Sequence, residues 1–242
     1  MSGPATPERL SQVVAVAAGW GFTVALGAGG VPRAAGRLPG APGPPGAPPL
    51  PFESLRGVRV VAVAAGAAHC LFLDSFGACW SAGEGADGRL GRRDDVAPAP
   101  GRVELAECRF VACGAAHSLA CGADGGVYAW GHAGAGRLGI GETNESKKTA
   151  PTIVDGLAGA VACAGGKYHS LVVAARGTAL YAFGDNSYGQ LGLGHADDER
   201  APKRARLPDG AVVAHAAAGA SHSLLLLENG DVYRSASKPL CG

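Results

Sequence analysis

Two short sequence patterns recur in phase along the chain, and this repetition constrains the fold more than any other feature. The first pattern is a glycine, two variable residues, a histidine, then Ser or Cys, then Leu. Its glycine-to-histidine segments are 66–69, 114–117, 166–169 and 219–222, and segment 19–22 is an altered copy that ends in Phe22. Successive copies lie ~50 residues apart, a period typical of repeat architectures such as propellers and solenoids.

The second pattern, Gly-x-Leu-Gly, follows the histidine by 19 or 20 positions in each complete copy. Its copies are 88–91, 136–139 and 189–192, with a damaged copy at 36–38. Between the two patterns lies a segment with aromatic residues, at 78–80, 127–131, 180–184 and, in partial form, 231–233. Two patterns that keep the same phase through several copies indicate one structural unit repeated along the chain.

Each unit is predicted to consist of short strands joined by tight turns. The turn sequences at 124–126 and 229–230 contain Asp-Gly and Asn-Gly, which accept positive φ at little cost and suit β-hairpins. No sustained helical period is present. The sequence therefore predicts an all-β fold, a β-propeller or partial propeller of about five units of ~50 residues within one repeat domain, 1–242. We expect radially arranged antiparallel sheets of three or four strands, with less than about a tenth of the residues helical.

The sizes of the side chains fit this geometry. The segment before each histidine contains almost only Ala, Gly, Val and Cys, as expected for the crowded innermost strand of a blade. Larger aromatic residues follow on the next strand, where adjacent blades can bury them. We predict that the Leu of Gly-x-Leu-Gly fills a contact between blades and that its glycines adopt unusual backbone angles.

Composition and charge exclude several classes of function. The 21 basic and 20 acidic side chains nearly cancel, so no nucleic-acid-binding surface is indicated. The seven cysteines form no CxxC pair, which argues against a metal site and favours reduced core thiols in the cytoplasm or nucleus. The uncharged stretch 13–31 has the length of a membrane span. The same kind of sequence recurs at 58–73 and 211–227, however, so we interpret it as a repeat unit and predict no membrane segment.

Residues 32–51 interrupt the pattern between the first two units. This segment contains eight prolines, which are predicted to preclude a regular strand. We therefore interpret it as a Pro/Gly-rich flexible loop inserted into the repeat domain.

The repeated histidines invite a catalytic or metal-binding interpretation. Because His69, His117, His169 and His222 occupy the same position in different units, we expect each to satisfy a local backbone group instead. A serine directly after a histidine on a strand points to the opposite face, so the two cannot form a hydrolase pair. Glycine-rich segments such as 134–136 lack the context of a phosphate-binding loop. We predict no catalytic, cofactor-binding or metal-binding residue.

Taken together, Gly-x-x-His-Ser-Leu, Tyr-Ala-Trp-Gly and Gly-Arg/Gln-Leu-Gly resemble the regulator of chromosome condensation repeat, most clearly at 113–141 and 163–194. The resemblance extends from about residue 8 to the end of the chain. Members of that family usually close a ring of seven blades, whereas this chain offers five units. A five-blade ring, an open arc and a truncated chain all remain possible. A ring closed at five blades would pair Ser11–Ala17 with the last blade near Val232–Arg234.

Two functions are compatible with such repeats. The first is a protein-binding scaffold without enzymatic activity, in which rigid blades present loops to another protein. The second, implied only by the resemblance, is guanine-nucleotide exchange on a small GTPase.

A contact site can be predicted from the two residues between glycine and histidine in each unit. All five pairs should lie on one face of the propeller, beside its axis. Most of these residues are small, and the large side chains among them are Trp20, Lys167 and Tyr168. Aromatic and cationic residues commonly anchor protein interfaces, so these three are the predicted partner-binding residues.

Overall fold

The computed structural model describes residues 12–40, 50–93 and 97–235, which form five antiparallel sheets. Each sheet is one blade, and within each blade the strands are neighbours in chain order. The strands of the first blade are β1 (Val13–Ala18), β2 (Phe22–Gly27), β3 (Pro32–Gly36) and β4 (Leu50–Pro51). Those of the second are β5 (Val60–Ala65), β6 (His69–Asp74), β7 (Cys79–Gly83) and β8 (Gly101–Arg102).

The remaining three blades repeat this arrangement. The third contains β9 (Cys108–Cys113), β10 (His117–Gly122), β11 (Val127–His132) and β12 (Lys147–Ile153). The fourth contains β13 (Ala160–Gly165), β14 (His169–Ala174), β15 (Ala179–Gly184) and β16 (Glu199–Ala205). The fifth has three described strands, β17 (Val213–Ala218), β18 (Ser223–Leu227) and β19 (Val232–Ser235).

The fold is a five-blade β-propeller, as the sequence predicted. The helical elements among the described residues are four 3-10 segments of three residues each, so the expected low helix content is confirmed as well. These segments are Glu53–Leu55, Ala86–Gly88, Gly134–Gly136 and Ala175–Gly177.

The second strand of each middle blade is buried on both faces. Every residue of β6, β10 and β14 is buried, because one face of the strand packs on the preceding blade and the other on the following blade. Strand β18 of the last blade instead alternates between buried and exposed residues. This alternation shows that one face of the last blade has no neighbour among the described residues.

The apolar core is divided into four clusters, one at each junction between blades that follow one another in the chain. Within the described part of the chain, no cluster joins the fifth blade to the first. Strand β1 pairs with β2 and β19 pairs with β18, so the pairing expected for a ring closed at five blades is not observed there. Ser11, one end of the predicted pairing segment, lies outside the described residues.

The prediction for residues 32–51 is wrong at both ends of the segment. Pro32–Gly36 forms the third strand of the first blade, and Leu50–Pro51 pairs with it as a short fourth strand. Pro32 is tolerated because it is the first residue of its strand, where the loss of an N–H group costs least. Residues 41–49, which contain most of the remaining prolines, lie outside the described residues.

The Gly-x-Leu-Gly motif joins adjacent blades, as predicted. Leu138 is buried in the cluster between the third and fourth blades. Gly139 has φ of 67° and lies so close to the Phe183 ring of the fourth blade that a Cβ atom would come within 2.7 Å of it. Only glycine combines this backbone angle with so close an approach.

Candidate functional site

The two residues between the glycine and the histidine of each unit form a tight turn from the innermost strand to the second strand. In the second blade the Gly66 backbone N–H donates to the carbonyl oxygen of His69 at 2.8 Å. The same bond closes the turn in the other four blades, with Phe22 replacing histidine in the first. These hydrogen bonds explain why the spacing from glycine to histidine is constant.

The five turns are joined to one another by backbone hydrogen bonds across the blades. Trp20 donates to Ala67 at 3.0 Å, Ala67 to Ala115 at 3.2 Å, Ala115 to Gly166 at 3.1 Å, and Lys167 to Gly219 at 3.0 Å. The turns therefore lie on one face of the propeller around its axis. We call this surface, formed by residues 20–21, 67–68, 115–116, 167–168 and 220–221, the axial face.

The structure brings two of the three predicted contact residues together. Lys167 and Tyr168 are exposed neighbours in the fourth blade, and the Lys167 Nζ atom lies 4.8 Å from the centre of the Tyr168 ring. Trp20 is 87% exposed but belongs to the first blade, three blades away along the chain. The axial face thus carries one compact aromatic-cationic pair and one separate tryptophan.

A third residue, Arg137, contacts both members of this pair and was not predicted from the sequence. Its guanidinium carbon lies 4.6 Å from the centre of the Tyr168 ring, and its Nη1 donates to the Lys167 carbonyl oxygen at 3.3 Å. Arg137 comes from the Gly-Arg-Leu-Gly motif of the third blade, which was assigned only a packing role. Its own motif gave no signal, because the second blade has an arginine, Arg89, at the same position. The difference between the two copies lies two residues earlier, where Ala135 replaces Asp87.

The histidines hold the blades together beneath the axial face. The Nε2 atom of each histidine in the second, third and fourth blades lies 2.9–3.0 Å from the hydroxyl of a serine in the following blade. The three pairs are His69–Ser118, His117–Ser170 and His169–Ser223. The prediction that each histidine satisfies a local backbone group is therefore wrong, because its partner lies about 50 residues further along the chain.

The hydrogen bonds of the serine determine the tautomer of the histidine. The Ser170 hydroxyl donates its only proton to the carbonyl oxygen of Arg137 at 2.7 Å. It must therefore accept a hydrogen bond from His117, which places the proton of that imidazole on Nε2. Ser118 and Ser223 donate to the carbonyl oxygens of Arg89 and Gln190 in the same way, so the assignment applies to all three pairs.

Burial keeps these imidazoles neutral. Desolvation, with a smaller contribution from the nearby Arg89 charge, lowers the pKa of His69 to about 3. Desolvation likewise lowers the pKa of His169 to about 4 and that of His117 well below its ordinary value. Each ring also packs on the glycine that opens its turn, and a Cβ atom on Gly114 would overlap the His117 ring.

A buried His–Ser pair does not make a hydrolase here. Both members of the three pairs have no more than 3% of their surface exposed, so a substrate cannot reach the hydroxyl. The serine proton is also committed to a backbone carbonyl, and nucleophilic attack requires the histidine to take it. The pairs therefore serve to fix one blade against the next.

The thiols and possible metal ligands show no reactive arrangement in the described part of the chain. Burial raises the pKa of Cys108 to about 11 and that of Cys79 and Cys113 well above the ordinary value, with a smaller contribution from neighbouring thiols. A hydrogen bond with the Cys121 thiol, together with burial, raises the pKa of Cys163 well above the ordinary value. Thiols of this kind stay protonated and are weak nucleophiles. No group of three or more His, Cys, Asp or Glu side chains among the described residues could hold a metal ion.

The described residues also contain no helix that is long and apolar enough to cross a membrane.

Comparison with known proteins identifies the repeats. A family model described as the regulator of chromosome condensation (RCC1) repeat matches residues 124–173 and 179–226, and a second RCC1 repeat model matches 160–190. The chain is 31% identical over 175 residues to the ultraviolet-B receptor UVR8 of Arabidopsis thaliana, an alignment that covers 69% of this chain and 39% of that protein. It is 43% identical over 65 residues to the RCC2 homologue of Xenopus laevis, covering 27% of this chain and 12% of that protein.

Solved structures show the same fold. Yeast RCC1 (Prp20) bound to Kap60 superimposes with a TM-score of 0.81 at 24% identity, covering 92% of this chain and 55% of that one. The structure of Prp20p from Saccharomyces cerevisiae, whose description names its binding to Gsp1p and histones, gives a TM-score of 0.79 at 25% identity and covers 92% of this chain and 57% of that one. The chain thus spans just over half the length of these structures and less than half the length of the two relatives.

Proposed function

The chain belongs to the regulator of chromosome condensation repeat family, and from that premise we propose that it is a protein-binding scaffold without chemistry of its own. Its contact surface in this proposal is the axial face, with Lys167, Tyr168 and Trp20 as the residues that bind the partner. Proteins with repeats of this kind bind other proteins, and binding on a propeller face needs no reactive group.

The observation that carries the proposal is the contrast between these side chains and the rest of the axial face. The turns of the second and third blades present only alanine, and the turn of the fifth presents alanine and serine. Trp20 stands 87% exposed on this otherwise smooth surface, and Tyr168 is 37% exposed. Large exposed aromatic residues beside a cation are typical of residues that dominate binding energy in protein interfaces.

The rigidity of the axial face supports the same proposal. Hydrogen bonds between successive turns and buried His–Ser pairs beneath them fix the positions of the five turns relative to one another. A surface that is ordered before binding loses less conformational entropy when a partner binds. Loops held by a rigid framework are therefore well suited to recognition.

The kind of partner is suggested by the structural neighbours. One neighbour is bound to Kap60, and another is described as binding Gsp1p and histones, all of which are proteins. By analogy the partner of this chain is another protein, and neither nucleic acid nor a membrane is involved. The free and buried cysteines suit a reducing compartment, so we place the protein in the cytoplasm or the nucleus.

A second candidate function is nucleotide exchange on a small GTPase. It is favoured by the similarity in fold to Prp20p, whose description names Gsp1p. The two candidates are separated by measuring nucleotide release from a panel of small GTPases. Faster release from any of them in the presence of this protein supports the exchange function. Unchanged release from all of them favours the protein-binding scaffold.

The axial face is tested by affinity capture with two variants of the fourth blade. The double variant Lys167→Ala, Tyr168→Ala makes the turn resemble its sister repeats. The control, Lys203→Ala, Arg204→Ala, changes two exposed residues on the outer strand β16 of the same blade. A protein retained by the wild type and the control but lost by the axial variant is the candidate partner.

The captured partner is then titrated directly. We expect the axial variant to lose about 1 kcal/mol or more of binding free energy, while the control retains the affinity of the wild type. Circular dichroism and thermal unfolding establish that both variants remain folded. Equal affinity of a folded axial variant and the wild type places the interface on another surface.

A further inference from the structure

The Gly-Arg-Leu-Gly motifs of the second and third blades each contain one arginine, Arg89 and Arg137. Both side chains are buried, with 7% and 5% of their surface exposed. Their Nε atoms donate to equivalent carbonyl oxygens, Arg89 to Ala86 at 2.9 Å and Arg137 to Gly134 at 2.7 Å. The two loops therefore hold their guanidinium groups in the same way.

The two arginines differ in what neutralises their charge. The Arg89 Nη2 atom lies 2.7 Å from a carboxylate oxygen of Asp87, and its Nη1 atom lies 3.8 Å from Glu84. In the third blade the equivalent positions are Ala135 and His132. Among the described residues no carboxylate lies within 4 Å of Arg137.

The charges of Asp185 and Asp87 attract the Arg137 guanidinium at longer range, but neither carboxylate forms an ion pair with it. The Asp185 carboxylate accepts hydrogen bonds from the Gln190 side chain at 2.7 Å and from the Ser187 hydroxyl at 2.6 Å. The Nη2 atom of Arg137 has no hydrogen-bond partner among the described residues. It is not sealed from solvent either, since the buried side-chain atoms that lack a partner are histidine Nδ1 atoms.

Arg137 is also the centre of a positively charged group on the axial face. Its guanidinium carbon lies 4.6 Å from the centre of the Tyr168 ring, and the Lys167 ammonium lies 4.8 Å from the same ring centre. Burying a cation without an ion-pair partner costs solvation free energy. A carboxylate that binds such a cation forms a stronger interaction than it would with an exposed one. The planar fork of arginine suits a carboxylate in particular.

We propose that Arg137, Lys167 and Tyr168 form a subsite that binds an aspartate or glutamate side chain of the protein partner. This inference rests on the proposed function of the axial face and specifies the chemistry recognised there. The partner supplies to Arg137 the carboxylate that Asp87 supplies to Arg89 within the chain. An acidic segment of the partner therefore lies over the fourth blade in the complex.

The second blade suggests a variant that tests the subsite without removing any of its residues. Ala135 has φ of 58° and Asp87 has φ of 60°, so an aspartate at position 135 adopts the conformation already seen in the sister loop. Ala135→Asp places a carboxylate on Arg137 from within the chain. Ala135→Asn is the matched control, because it has the same shape, tolerates the same backbone angle and carries no charge.

The probe is a fluorescently labelled hexaglutamate peptide, with hexaglutamine as the neutral comparison, measured by fluorescence anisotropy at low ionic strength. We expect the wild type and Ala135→Asn to bind hexaglutamate with similar affinity and Ala135→Asp to bind it at least fivefold more weakly. The melting temperature of Ala135→Asp should exceed that of Ala135→Asn by about 2–4 °C, the shift that corresponds to one additional ion pair in a chain of this size.

Equal affinity of Ala135→Asp and Ala135→Asn, or no binding of hexaglutamate by the wild type, overturns the carboxylate subsite. Binding of hexaglutamine as tight as that of hexaglutamate overturns it as well. These outcomes are independent of the proposed function, which fails when the natural partner is indifferent to the Lys167→Ala, Tyr168→Ala variant. If the natural partner loses affinity for the Lys167→Ala, Tyr168→Ala variant and yet binds Ala135→Asp as tightly as Ala135→Asn, the axial face remains the interface. That result rejects only the carboxylate subsite.

Discussion

The junction between the first two blades and the three junctions that follow it solve one packing problem with different chemistry. In the first blade the Phe22 ring lies against Gly19, just as the His117 ring lies against Gly114 in the third. Phe22 shares an apolar cluster with Cys70 of the second blade, whereas His117 makes a hydrogen bond to Ser170 of the fourth. At the first junction both members of the His–Ser pair are replaced, histidine by Phe22 and serine by Cys70. The residue in one repeat is therefore matched to its contact in the next.

This difference shows what the histidine contributes. An aromatic ring of similar size fills the space beside the glycine in both kinds of junction, so packing alone does not require a polar side chain. The polar junction adds a hydrogen bond that forms in one relative position of the two blades. It also adds a buried group that must remain neutral, and this makes three junctions sensitive to acid and leaves the first insensitive.

The largest expected effect is therefore the loss of stability in acid. The folded-state pKa values of the three histidines lie below the ordinary value, so the unfolded chain binds more protons. Their contribution to stability is fully present above about pH 6.5 and falls as the pH decreases towards about 4. From pH 7 to pH 5 we expect a loss of about 2 kcal/mol for each histidine, about 6 kcal/mol for the three, measured by urea unfolding at each pH.

The acid sensitivity can be tested by converting the junction between the third and fourth blades to the apolar pair found at the first junction. The double variant His117→Phe, Ser170→Cys copies Phe22 and Cys70 and should remove about a third of the loss between pH 7 and pH 5. A wild-type stability that is constant over this range contradicts the neutral, buried imidazoles.

The next largest effect is expected on truncation of one histidine. His117→Ala removes a fully buried ring and deprives the Ser170 hydroxyl of its donor, so the free energy of unfolding at pH 7 should fall by about 3 kcal/mol. Urea unfolding measures this change. Phe22→Ala should cost about as much through its cavity alone, but its cost should not depend on pH.

A smaller loss is expected when the acceptor alone is removed. Ser170→Ala leaves the His117 Nε2–H group buried without a partner and should reduce the free energy of unfolding by about 2 kcal/mol. The corresponding change at the apolar junction, Cys70→Ser, adds a hydroxyl that meets no imidazole. The double variant Phe22→His, Cys70→Ser should have a free energy of unfolding about 1 kcal/mol higher than expected from the sum of the two single changes. Double-mutant cycles that show no coupling at either junction would contradict the pairwise matching of the two residues.

Much of the fold could be predicted because its signals are local in sequence. The turn from glycine to histidine and the glycines of Gly-x-Leu-Gly each depend on a few consecutive residues. The partner of His117 was missed because it lies in the next repeat, at Ser170. The paired replacement of His and Ser by Phe22 and Cys70 carried that information, but it becomes visible only when columns are compared between neighbouring blades.

The candidate site was predicted only in part for a similar reason. Lys167 and Tyr168 differ from their sister repeats and were recognised by that difference. Arg137 matches Arg89 in the motif, so its own position gave no signal. What distinguishes it is the absence of a carboxylate at Ala135, and a missing counterion has meaning only when the structure shows that the arginine is buried.

The smallest effect is expected at His222, which occupies the histidine column of the last blade. Its side chain is exposed and makes no hydrogen bond within the described part of the chain, and Thr23, the hydroxyl residue of the first blade in the serine column, is exposed as well. His222→Ala should therefore change the free energy of unfolding by no more than about 0.5 kcal/mol, as is usual for a surface substitution, measured beside His117→Ala in the same urea titration.

A ring closed at five blades would bring the free face of the last blade, with His222, Leu224 and Leu226, against the first blade and bury a fourth pair, His222 with Thr23. In that case His222→Ala would cost about as much as His117→Ala, and Thr23→Ala would show coupling to it. Equal losses at the two histidines would thus contradict the open end of the propeller, while a negligible loss at His222 locates the stabilising pairs at the three internal junctions.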